Sequence, residues 1–126
     1  MFAGPGPDAA QGLADNPWAP ATPADAGIVA YFWQPPPALV FADESTVGTK
    51  VLWISHDAQS ARMSIAAHPL DASSPVVEFE FPAASSPAGN YPSRIALPAP
   101  GCWRLELTIG TTRATMDLMI APARSS

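Results

Sequence analysis

Ser55, His56 and Asp57 stand side by side, the three residue types of a nucleophile, a base and an orienting acid. Consecutive residues at a strand end point to alternate sides, so these three cannot converge on one reacting atom, and a turn is expected instead. Glu78 and Glu80 share one face of a short run, about 6.8 Å apart by strand rise. That separation suits a pair of glycosidase carboxylates. Alternating glutamates also keep a solvent-facing edge strand from pairing with another chain, and this is the role expected here.

A second set of groups could hold a soft metal. His56, Met63, His68, Met116 and Met119 offer the imidazoles and thioethers that suit copper. His56 and His68 are the weak candidates, and they would meet only if the runs 49–55 and 62–67 paired as a hairpin. Met63 and Met116 fall on apolar faces, where methionine normally packs. The single cysteine, Cys102, would need a neighbouring cation or helix N-terminus to become a nucleophile. Packing beneath the N-terminal segment is the favoured role for it, and an intermolecular disulfide comes next. One cysteine allows no internal disulfide. No cofactor is expected.

Aromatic residues offer a third kind of chemistry, the stacking of a sugar or the anchoring of a protein partner. Trp53 and Trp103 alternate with polar neighbours and are expected in the core. Trp33 before Q-P-P-P and Tyr91 are the candidates for exposure; Trp18 within N-P-W-A-P is expected to be buried, pinning the N-terminal segment onto the domain, or else to face a partner, and Arg94 is a further candidate contact.

The elements that must position these groups are short. I-V-A-Y-F-W (28–33), L-V-F (39–41), T-K-V-L-W-I-S (49–55), R-M-S-I-A-A (62–67), V-V-E-F-E-F (76–81), R-I-A-L (94–97), C-W-R-L-E-L-T-I (102–109) and R-A-T-M-D-L-M-I (113–120) read as strands. Trp103, Leu105, Leu107 and Ile109 share a face opposite Cys102, Arg104, Glu106 and Thr108. Gly110-Thr111-Thr112 joins the last two strands as a hairpin. With 16 prolines, long helices are disfavoured. About seven or eight short strands, punctuated by Pro/Gly turns, predict an all-β chain folded as an antiparallel sandwich. L-P-A-P-G (97–101), between a strand and an aromatic strand followed by a tight turn, looks like the E–F corner of an immunoglobulin-like sandwich.

Residues 1–27 are rich in Ala, Pro, Gly and Asp and lack periodicity, so they are expected to form an extended or disordered leader. The sandwich is expected over 28–122 and a tail over 123–126. Asp8, Asp15, Asp25, Asp43 and Glu44 lie in the first 49 residues with no Lys or Arg, so the net charge of −5 arises there. Nothing in this distribution provides the basic patch that nucleic acid or an anionic membrane surface requires. No apolar run reaches the length of a membrane-spanning helix.

Lys50-Val51-Leu52-Trp53, Leu70-Asp71, Tyr91-Pro92-Ser93 and Gly101-Cys102-Trp103 carry a resemblance to a group of uncharacterised bacterial extracytoplasmic, often lipoprotein-like domains. The resemblance spans roughly residues 48–120 and rests on short motifs. It implies a location outside the cytoplasm, secreted or lipid-anchored after a signal not in this sequence; a cytoplasmic location is the alternative. It carries over no catalytic or binding residues. The resulting expectation is a non-enzymatic binding or structural module with a protein partner in the cell envelope. The alternative is a β-sandwich that binds a small ligand, carbohydrate or copper.

Overall fold

The computed structural model describes residues 7, 16–32, 40–41, 49–56, 61–74, 76–82, 89–95, 97 and 99–121. Among them nine strands form two sheets: β1 (Trp18–Pro20), β2 (Ile28–Phe32), β3 (Val40–Phe41), β4 (Thr49–Ser55), β5 (Met63–Pro69), β6 (Val77–Phe81), β7 (Asn90–Ile95), β8 (Gly101–Ile109) and β9 (Thr112–Ala121). One sheet has the order β1-β2-β4-β7 and the other β3-β9-β8-β5-β6. All pairings are antiparallel except the short one between β3 and β9. The all-β sandwich expected from the alternation is the fold observed. Among the described residues no helix is long and apolar enough to cross a membrane.

Alternation decides which side chains meet between the sheets. Ile28, Ala30 and Phe32 of β2, Val51 and Trp53 of β4, and Tyr91 and Ile95 of β7 face Met63, Ile65, Trp103, Leu105, Leu107, Met116 and Leu118 in one core. Each large side chain fully buried here contributes about 1.5–3 kcal/mol. Their polar tips are satisfied within the core. The Trp53 indole N–H donates to Ser93 Oγ at 3.1 Å, and that hydroxyl donates to the Val51 carbonyl at 2.8 Å. The Trp103 indole donates to the Ala99 carbonyl at 3.0 Å.

β2 and β4 are apolar on both faces, as the run V-L-W-I requires. Val29, Tyr31 and Ile54 form a second cluster on the far side of the four-stranded sheet, with Trp18 and Leu52 packed against it. Trp18 is paired with Tyr31 across β1 and β2. In the described part of the expected leader, residues 16–27, the chain is extended and tied to the sandwich. Trp18–Pro20 is an edge strand, Ala21 and Ala26 reach the core, and Thr22 exchanges two backbone hydrogen bonds with Thr115 of β9. The cause is local pairing: a proline-flanked strand needs a partner on one side only, and β2 provides it.

The corner 97–101 carries the chain from β7 in one sheet to β8 in the other, as expected. Gly101 opens β8 at φ 121°, a backbone conformation that side chains with a Cβ rarely adopt. Ile109 pairs with Thr112 across a two-residue reversal at Gly110 and Thr111, which makes the hairpin.

Candidate functional site

Strand register lays out the exposed face of the five-stranded sheet in rows. The first row reads Glu80, Ser64, Thr108, Arg113, and the next Glu78, Ala66, Glu106, Thr115. His68, Arg104 and Asp117 form the third, and Cys102 and Met119 the fourth. Continuing the register by one position sets Val76 beside His68. Leu70 lies beside Cys102, where its N–H donates to the Cys102 carbonyl at 2.9 Å.

The face is therefore divided along its length. Its first two rows are polar, and Glu78, Glu80 and Glu106 rim a groove of about 410 Å³ floored by Ser64, Ala66 and Thr108. Glu80 accepts a 2.6 Å bond from Arg62, so the alternating glutamates lie on the solvent side of an edge strand, as expected. Past the charged row of His68, Arg104 and Asp117, the end of the face is apolar. Leu70, Val76 and Met119 are the exposed large hydrophobic residues among those described, Met119 at 58%. Cys102 lies between Leu70 and Met119 and is exposed as a free thiol. Beside it a groove of about 500 Å³ runs between the β5–β6 turn (Pro69, Leu70, Asp71) and the corner (Ala99, Pro100, Gly101).

Charged pairs separate the two zones. Arg104 donates twice to Asp117, at 2.9 and 3.1 Å. Those hydrogen bonds, followed by the guanidinium's charge, hold the Asp117 carboxyl below its usual range. His68 is ringed by oxygen. Its Nδ1 lies 2.8 Å from both the Pro69 and the Ala72 carbonyls, and its Nε2 lies 3.0 Å from Glu106 Oε2. The two backbone carbonyls are the main cause of a raised imidazole pKa, with Glu106 adding to it.

Several expected site residues lie elsewhere. Tyr91 is a core residue, not an exposed one: it faces Trp53 across β4 and β7 and donates its hydroxyl to the Ala61 carbonyl at 2.7 Å. The odd positions of β7 point inward, and burial pushes its phenol pKa up. Trp18 is half-buried against the second cluster. Arg94 is exposed opposite Lys50 on the same outer face, beside a shallow groove lined by Phe81 and Pro92. β2 and β4 separate Trp18 from Arg94, about 14 Å by strand spacing. Trp33 lies outside the described residues, and Trp18, Tyr91 and Arg94 form no single site.

The histidines do not meet. β4 pairs with β2 and β7, and β5 with β6 and β8, so the hairpin that would join them is absent. His56 follows one end of β4, while His68 sits at the distant end of β5 in the other sheet. Met63 and Met116 are buried, and among the described residues no three His, Cys, Asp or Glu side chains are grouped to hold a metal ion. Ser55 points inward and His56 outward, which separates the S-H-D triplet; Asp57 lies outside the described residues. Cys102 is not packed beneath the N-terminal segment, because its alternating position carries it to the open face.

Compared with known proteins, the chain matches no family model, no curated protein and no solved structure.

Proposed function

We propose that this protein is a non-enzymatic binding module that recognises another protein through the Cys102 end of its five-stranded sheet. The observation that carries the reading is an exposed thiol flanked by Leu70 and Met119, with Val76 exposed in the adjoining row, bordered by the Arg104–Asp117 and His68–Glu106 pairs. Exposed apolar residues scattered singly mean little, but three in adjoining rows with a polar rim have the composition of a contact surface. The thiol is placed to contribute apolar contact, and an intermolecular disulfide where conditions are oxidising.

The strand order supports an immunoglobulin-like assignment. β2, β4 and β7 take the places of strands A, B and E, and β5, β8 and β9 those of C, F and G. Such sandwiches commonly present a sheet face or end loops to a partner. A bacterial cell-envelope location rests on the K-x-L-W, Y-P-S and G-C-W resemblance.

The test is capture with matched baits, wild type and a Leu70→Asp/Met119→Lys double variant. The reading expects a discrete partner with the first and at least a tenfold loss with the second, at melting temperatures within about 3 °C, since both positions are exposed. Equal capture by the two baits would overturn it.

A further inference from the structure

His68 is the feature that the contact face alone does not explain. Its side chain is 20% exposed and its ring bridges two elements, the β5–β6 turn and β8. In the turn, the Ala72 N–H donates to the Pro69 carbonyl at 3.2 Å, and both of their carbonyls also approach Nδ1. Across the sheet, Glu106 Oε2 meets Nε2.

All three partners are acceptors. A backbone carbonyl offers only lone pairs, and so does an ionised carboxylate. An imidazole nitrogen donates only when it carries a hydrogen, so the arrangement is satisfied when both nitrogens are protonated. With one proton gone, a lone pair must face either two carbonyls or a carboxylate. One of the two attachments is then lost.

We propose that His68 is a pH-operated latch which, when doubly protonated, ties the Leu70-bearing turn to Glu106 and thereby holds one wall of the groove beside Cys102. The charged groups around it have distinct parts. Glu106 on β8 is bonded to it directly. Arg104, its cross-strand neighbour on β8, is held by Asp117 of β9. Asp71 lies in the turn itself, and Glu78 lies diagonally across on β6. Cys102 occupies the other diagonal on β8. A carboxylate in contact and carbonyls on both remaining lines favour the charged ring, while Arg104 opposes it and is offset by Asp117.

The sign follows from the raised pKa in the folded chain. The stabilisation is fully present below the ordinary imidazole value of 6.5 and is lost as pH rises through the higher folded value. The turn is therefore tied down at mildly acidic pH and released on the alkaline side. That this release controls partner access rests on the reading of the Cys102 end as a contact surface; the latch itself does not.

The test is a nuclear magnetic resonance titration of the intact chain from pH 5 to 9, following the His68 ring and the Leu70 and Ala72 amides. The latch expects a His68 midpoint above 6.5 and the same midpoint in both amides. It also expects a lower midpoint in Glu106→Gln and no step in either amide in His68→Gln. A His68 midpoint at or below 6.5, amides that stay flat through it, or a Glu106→Gln midpoint unchanged from wild type would each overturn it. A partner captured equally by the Leu70→Asp/Met119→Lys variant would overturn the contact face and leave these titrations untouched.

Discussion

Ser93 shows how one polar side chain is accommodated in an apolar core. Its hydroxyl accepts from Trp53 and donates to Val51, joining β7 to β4 through one buried atom. Ser93→Ala removes both bonds and leaves the indole N–H buried without a partner. The expected cost is about 1–3 kcal/mol, read from denaturant unfolding with an unchanged m-value. A loss below about 0.3 kcal/mol would mean that the indole finds another acceptor. Tyr91 carries the same lesson for prediction. Tyr-Pro-Ser looks like a loop, since proline follows the tyrosine, yet Pro92 sits in an edge strand, where its missing N–H is tolerated. Parity with Ser93 and Ile95 was the available signal for placing Tyr91 inward.

At the scale of elements, β8 and β9 were the most legible. Both alternate strictly, and Trp103, Leu105, Leu107 and Ile109 of β8 and Met116 of β9 are buried as the alternation indicated. The corner was legible because L-P-A-P-G combines fixed φ with a glycine, and Gly101 shows why the glycine is there. A Cβ at this position meets nothing within 4 Å, so crowding is not the obstacle; a φ of 121° is. Gly101→Ala is therefore expected to destabilise by about 1–3 kcal/mol through backbone strain alone. Thermal unfolding would check this, and a melting temperature equal to wild type would show that the corner can relax. β1 was not legible, because two residues between prolines show no period and owe their strand to β2. The His68–Glu106 contact was hidden for a different reason. The two are 38 residues apart in sequence, and only the pairing of β5 with β8 brings them together.

For the whole molecule, each sheet has a distinct outer face. The four-stranded sheet buries a second apolar cluster on its outer side, and the five-stranded sheet presents charge over most of its face and apolar groups at one end. Its β6 edge carries Glu78 and Glu80, which discourages pairing with a foreign strand along that border. The sequence alternation indicated that Cys102 faces away from the core, but not that Leu70 and Met119 lie to either side of it, since that depends on two separate strand pairings. The proposed contact face is a small apolar field framed by ion pairs, and its most direct test is position-specific photocrosslinking in cells. A benzophenone side chain is placed in turn at Leu70, Met119 and Arg113, all on the same face. The account predicts the same discrete adduct from positions 70 and 119 and none from 113, in the polar zone. An adduct from 113 alone, equal adducts from all three positions, or none from 70 and 119 would contradict it.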